Sequence, residues 1–214
     1  MKDIIICGAG GLGREVACLI NAINEQEPTW NLIGFTDPNE SLWGTQNRFG
    51  KILGDDSVIE NWATPINVVI AVGSPKLMKK IAEDFRNENI SFPNLIHPSF
   101  HISDKDSFQI GRGNIIQRFC TASCDVTIGN FNVFNSGVNL GHDDKVGSFN
   151  SFMPAVRVSG EVSIGDCNFF GVGSIILQQL MVGNNIRLGA GSVLMTKSKD
   201  GFLYMGNPAK KIEF

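Results

Sequence analysis

The chain contains three histidines, His97, His101 and His142. His142 stands in Leu140-Gly141-His142-Asp143-Asp144-Lys145. An exposed imidazole followed by two carboxylates has the parts of a general base: one carboxylate can fix the tautomer and stabilise the imidazolium. The same residues also make an ordinary charged surface turn, and spacing alone leaves both readings open. His97 precedes Pro98 and suits hinge packing, and His101 suits a solvated surface position. The three are 4 and 41 residues apart, so no three-histidine metal site is expected. No Gly-x-Ser-x-Gly elbow occurs, which removes the support for a serine hydrolase. Cys7, Cys18, Cys120, Cys124 and Cys167 are odd in number, scattered and without a Cys-x-x-Cys pair. Reduced thiols in a cytoplasmic protein are expected.

A second chemical feature lies near the N-terminus. Asp3–Cys7 is an apolar, β-rich run, followed by Gly8-Ala9-Gly10-Gly11-Leu12-Gly13 and then an amphipathic stretch carrying Val16, Leu19, Ile20 and Ile23 on one face. A glycine loop between strand and helix lets the backbone approach a pyrophosphate at the helix N-terminus. Asn31–Asp37 reads as a second strand whose last residue, Asp37, can hydrogen-bond a ribose or base. Ile66–Val72 reads as a third strand closed by Gly73, 76–89 as a helix with Leu77, Ile81 and Phe85 on one face, and 94–96 as a last strand. This is one Rossmann-like βαβαβ half in about 95 residues, where a full NAD domain needs two. A nucleotide or nucleotide-sugar site is therefore expected; glycines that merely turn the chain remain the alternative.

The elements that must carry His142 follow from a repeat. From Ile110 to Leu194 every sixth residue is apolar, fifteen positions without a break. Gly111, Gly129, Gly147, Gly165 and Gly183 recur at intervals of 18, each after Ile or Val. A helix repeats every 3.6 residues, so a hexad with one inward aliphatic fits a short strand plus a turn. Three hexads per coil make a triangular prism. About five coils at ~4.8 Å each give a parallel β-helix ~24 Å tall. The glycine column is expected to mark corners that need unusual backbone angles. Ile102 and Phe108 lie out of phase with Ile110 and read as an irregular entry. His142, two past an inward Leu140, points outward near a corner.

Composition bounds the rest. The chain has 214 residues, 43% hydrophobic and 18% charged, with net charge −3. That excludes global disorder and a broad basic field for nucleic acid. No apolar run approaches a membrane span. Outward Phe119, Phe131, Phe149 and Phe169 would expose sizeable apolar surface on a lone prism, so they are expected to pack partner subunits or the N-terminal domain.

Taken together, the GAGGLG loop, Ile96-His97-Pro98, the hexad repeat with its one histidine, and Gly206-Asn207-Pro208-Ala209-Lys210 resemble a family. The chain is similar over nearly its whole length to the hexapeptide-repeat sugar acetyltransferases of the NeuD and PglD type. The resemblance implies a Rossmann-like nucleotide-sugar domain over 1–96 and a left-handed β-helix acyltransferase domain over 97–214. It implies acetyl-CoA as donor, no metal, a nucleotide-sugar acceptor, a homotrimer with sites between prisms, and a role in cell-surface glycan synthesis. His142 corresponds to the catalytic base and Asp143 to the acid that raises its basicity. Gly10, Gly11, Leu12, Asp37, Pro38 and Gly73 correspond to the nucleotide-sugar site, and Asn135 to a residue near the acceptor. Gly160 corresponds to a glycine whose N–H faces the thioester oxygen, and Ser151, Val172 and Ala190 to acetyl-CoA contacts. The bacillosamine-pathway members carry a histidine where this chain has Leu12, a carboxylate where it has Pro38, and a CoA-contacting histidine where it has Ser151. N-acetylation of a nucleotide-linked amino sugar leads. O-acetylation of a sugar such as sialic acid, a non-catalytic nucleotide-sugar binder, and an NAD oxidoreductase follow.

Overall fold

A computed structural model describes residues 1–212; the last two residues of the expected second domain lie outside the described ones. The chain opens with β1 (Lys2–Cys7), α1 (Gly11–Gln26), β2 (Trp30–Thr36), β3 (Gln46–Asn47), β4 (Gly50–Gly54), α2 (Ser57–Glu60), β5 (Ile66–Ile70), α3 (Pro75–Asp84) and β6 (Ile90–Ser91). The sheet order is β3-β4-β2-β1-β5-β6. Every pairing from β4 across to β6 is parallel. β1 is central because Ile4, Ile5 and Ile6 are buried on both faces, as a parallel strand covered by helices requires. α1 buries Val16, Ala17, Leu19 and Ile20. α3 is shorter than the sequence suggests; Ile81 packs against the core as expected, but Leu77 does not. The helix buries Met78, whereas Leu77 is 46% exposed, and Phe85 leaves the helix to pack on Phe92.

Leu95–Ile96 does not join this sheet. It begins the first face of a parallel β-helix, pairing with Ile115–Ile116. The three faces contain eight, six and five strands, so the solenoid is longer than the expected five coils. The apparent irregularity at Ile102 is a two-residue insertion. His101–Ile102 pairs with Thr121–Ala122, a step of 20, where later steps are 18. The entry is therefore a complete coil rather than a lead-in. The inward column includes Phe134, Phe152 and Phe170, stacked 4.7 Å apart.

The glycine column has a different cause from the one the repeat suggests. Gly111, Gly129, Gly147, Gly165 and Gly183 lie outside the left-handed region. A Cβ on Gly129 would sit 2.6 Å from the carbonyl oxygen of Gly147, and one on Gly165 2.8 Å from that of Gly183. The coils simply come too close there for a side chain. The left-handed turns fall at every sixth residue from Gly113 to Gly191, and ten of those fourteen residues are not glycine, among them Phe131, Asp143 and Glu161. Left-handed backbone costs a non-glycine on the order of 1–3 kcal/mol. Here the turns are held by the ladder: Phe131, Asp143 and Glu161 donate their N–H groups to the carbonyls of Arg112, Cys124 and His142 on the preceding coil. A buried ladder of Asn114, Asn132, Asn150 and Asn168 bonds coil to coil along one corner.

The two parts share a core. The outward residues Leu95, Ile115 and Val133 of the first face join the same apolar cluster as Ile4–Ile6 and α1. Phe131 is 5% exposed and lies between Phe92 and Phe149. Two of the four outward phenylalanines, Phe131 and Phe149, thus pack against the N-terminal core, while Phe119 remains 66% exposed.

Candidate active site

The loops after β1 and β5 lie side by side at the carboxyl edge of the parallel sheet, since Cys7 pairs with Ile70. The chain reverses its direction across the sheet between these two strands, which is where open α/β sheets bind ligands. The glycines there divide by role. Gly8 has φ +111°, with the Ala71 carbonyl 2.7 Å from where a Cβ would stand, and a Cβ on Gly13 would strike the Gly8 carbonyl. These two serve the turn. Gly10, Gly11 and Gly73 have nothing within 4 Å of a Cβ position, so the fold does not require glycine there and their backbones face open space. Asp37 reaches the same loop. One carboxylate oxygen accepts from Ala9 N–H (3.1 Å) and the other from Asn39 N–H (3.0 Å). Leu12 packs against the N-terminal core, and Pro38 is exposed. Beneath them lies a network that sequence reasoning missed: Cys7 and Thr36 both donate to Asp56, at 3.2 and 2.7 Å. Burial and the Asp56 carboxylate push the Cys7 thiol pKa well up. No spacing signal marked Asp56, which joins β1 and β2 only through the fold.

Ser151 is fully buried and donates to the Gly73 carbonyl at 3.1 Å. Its hydroxyl ties the β5–α3 loop to the first face rather than lying free on the prism. Beyond this tie opens a cleft of ≈ 1170 Å³, lined by Gly73, Ser74, Lys76, Phe169, Arg187 and Leu203 among others. A smaller hollow shares Phe169, Arg187 and Leu203 and adds Val172 and Ala190. One groove thus joins Gly73 to Val172 and Ala190 along the edge between the first and second faces. Asn135 lies on that edge, buried, with its Nδ2 donating to the Phe152 carbonyl.

His142 stands on a different edge, between the second-face strand Asn139–Leu140 and the third-face strand Lys145–Val146. Its side chain is 54% exposed. Nδ1 lies 2.8 Å from Asp143 Oδ2. That hydrogen bond, with further support from Glu161 and Asp144, raises the imidazole pKa above its ordinary value. Nε2 has no hydrogen-bond partner among the described residues. Gly160, one coil on, lies directly against the ring: a Cβ there would sit 2.6 Å from Cε1 and 2.7 Å from Cδ2. The second carboxylate of the motif turns inward. Asp144 is fully buried and accepts from Gly141 N–H (2.8 Å) and Val162 N–H (2.9 Å).

His142, Asp143 and Gly160 are therefore one group. Gly73, Val172, Ala190 and the buried Asn135 and Ser151 are a second, and Gly10, Gly11 and Asp37 a third, next to Gly73. The width of the second face separates the first group from the others within one chain. His97 bonds Ser99 through Nδ1, and burial with Arg118 nearby lowers its pKa. His101 is exposed. Among the described residues no three His, Cys, Asp or Glu side chains converge as metal ligands would. No helix there is long and apolar enough to cross a membrane.

No protein with a curated description matches the sequence. The acetyltransferase domain of PglB from Neisseria gonorrhoeae is 28% identical, with 99% of this chain and 100% of that chain covered and a TM-score of 0.89. The same domain solved in complex with acetyl coenzyme A gives a TM-score of 0.88, with 28% identity and 99% of each chain covered. PerB from Caulobacter crescentus, in complex with CoA and GDP-perosamine, is 25% identical, with 100% and 98% covered and a TM-score of 0.83. Residues 3–85 match the PglD N-terminal domain family. Over residues 3–85 the chain is thus similar to the PglD N-terminal domain, and as a whole it has the architecture of the acetyltransferase domain of PglB.

Proposed function

We propose that the protein transfers the acetyl group of acetyl-CoA to the amine of a nucleotide-linked amino sugar, with His142 as general base. The observation that carries this reading is the state of the imidazole. Nδ1 is engaged by Asp143 at 2.8 Å, Nε2 has no hydrogen-bond partner among the described residues, and the ring is exposed on a fold whose relatives were solved with acetyl-CoA or with CoA and GDP-perosamine. Nε2 takes the proton as the amine attacks the thioester carbonyl. Asp143 stabilises the imidazolium, and the Gly160 N–H meets the oxyanion. Collapse expels the CoA thiolate, which recovers the proton from His142. No covalent enzyme intermediate is required.

The nucleotide sugar lies over Gly10, Gly11 and Gly73, with Asp37 holding the loop, and acetyl-CoA along the groove at Val172 and Ala190. Since His142 lies on another edge, the site is completed by a second copy. A homotrimer, with the N-terminal sheet and its loops binding the acceptor and residue 95 onward forming the prism, brings one copy's His142 to its neighbour's groove. The experiment is thiol release from acetyl-CoA against UDP-, dTDP- and GDP-linked 4-amino sugars and free sialic acid. Release with an amino sugar, reduced at least ~100-fold in His142→Ala with CoA binding kept, supports the reading. Release with sialic acid alone replaces it with O-acetylation. Undiminished turnover in His142→Ala removes the histidine from the mechanism.

A further inference from the structure

The inward column that crosses the His142 corner holds Val126, Asp144 and Val162, one per coil, all 0% exposed. A carboxylate between two valines is costly to bury unless its hydrogen bonds are made. Both of its oxygens are used, on Val162 N–H and on Gly141 N–H. The second bond changes the backbone. On the same face Ser123, Ser159 and Leu177 donate to Leu140, Ile176 and Leu194 on the next coil. The equivalent bond from Gly141 to Val158 is absent, and the strand pairing there is reduced to Asn139 with Arg157 alone. The ladder is thus interrupted at the residue before His142, where the N–H turns inward to Asp144.

We infer that Asp144 is a positioning residue: by drawing Gly141 N–H out of the ladder it sets the backbone of the His142 corner, so that the ring lies on Gly160 with Nδ1 on Asp143. This rests on the proposed role of His142, and it accounts for a carboxylate in an otherwise aliphatic column. The charged groups facing the ring are Asp143 beside it, Asp144 beneath it and Glu161 on the next coil. Burial raises the Asp144 pKa to about 7. The folded state therefore keeps a proton that the unfolded chain has lost. Stability falls as pH rises from the ordinary carboxylate range, about 4, through that value.

The test is Asp144→Val, which restores the column's usual residue and lets Gly141 rejoin the ladder, with Asp144→Asn as the conservative companion. The imidazole is followed by NMR titration of the full-length protein. With three histidines, His142→Ala assigns the relevant resonance. In Asp144→Val we expect the His142 pKa to fall, since the corner that holds Nδ1 on Asp143 is released. kcat should drop ~10- to 100-fold, the scale of a small misplacement of a catalytic group, with KM for both substrates little changed. The fall in stability between pH 5 and pH 8 should flatten. Asp144→Asn, which keeps one acceptor oxygen, should lie between; if the valine variant does not fold, the asparagine variant gives the same readouts. A His142 titration and pH–kcat profile unchanged in the variant that folds would overturn the inference. If the wild-type protein shows no turnover on any sugar, the acetyl-transfer reading fails by itself, and the NMR titration still decides whether Asp144 governs the imidazole.

Discussion

Gly160→Ala adds one methyl group at the point where the candidate site is tightest. The residue is not in the left-handed region and is partly exposed, so alanine suits its backbone and the fold should lose no more than about 0.5–1 kcal/mol. The added carbon would lie 2.6–2.7 Å from two ring carbons of His142. Ordinary contact is ~3.5–4.0 Å, so the ring must retreat by about 1 Å. A retreat of that size breaks the 2.8 Å bond to Asp143 or swings Nε2 away from the acceptor, and a misplacement of that order can cost ~100-fold in rate. Alanine keeps the N–H of residue 160, so donation to the oxyanion survives the change. Steady-state thiol release should therefore show kcat reduced ~100-fold, with KM for acetyl-CoA nearly constant, in a protein whose melting curve matches the wild type. A kcat within a few-fold of wild type would show that ring clearance is irrelevant and leave Gly160 at most its N–H.

Two other outcomes are expected. Because the Asp143 hydrogen bond is the largest cause holding the His142 pKa up, Asp143→Asn should move the acidic limb of the kcat/KM profile to lower pH. It should also reduce the plateau roughly 10- to 100-fold; an unmoved limb would separate Asp143 from the base. Light scattering at assay concentration should give the mass of three chains, and a monomer that retains full activity would contradict a site completed by a second copy.

The period of six made the solenoid legible, because one inward residue per strand is a constraint no helix imposes. The cause of the glycine column was not legible. A close approach between coils 18 residues apart and a left-handed turn both select glycine, and only the folded coil tells them apart. The real turns fall on Phe, Asp, Ala, Glu, Cys, Gln or Asn at ten of fourteen positions, so no residue type announces them. The asparagines at 114, 132, 150 and 168 did carry a readable signal, the coil length itself. At the site, His142 and Asp143 were visible as neighbours in sequence. The opposed directions of Asp143 and Asp144 were not, because adjacent residues at a corner part company only once the corner is built. Asp56 was beyond reach for a related reason: its partners Cys7 and Thr36 meet it only when β1 and β2 pair.

The common core of the two parts bears on the order in which the chain is made. Ile115, Phe131 and Val133 complete the cluster that begins with Ile4. When synthesis has passed residue 96, the N-terminal unit has its sheet and helices but not the residues that complete its core around Phe92. About forty more residues must emerge before that face is covered. The first coils of the solenoid therefore serve as the last layer of the domain before them, and they fix where the nucleotide-facing loop stands relative to the prism as both are finished. Separating the chain at residue 96 would leave an apolar face on each piece, of the kind that aggregates in partly folded proteins.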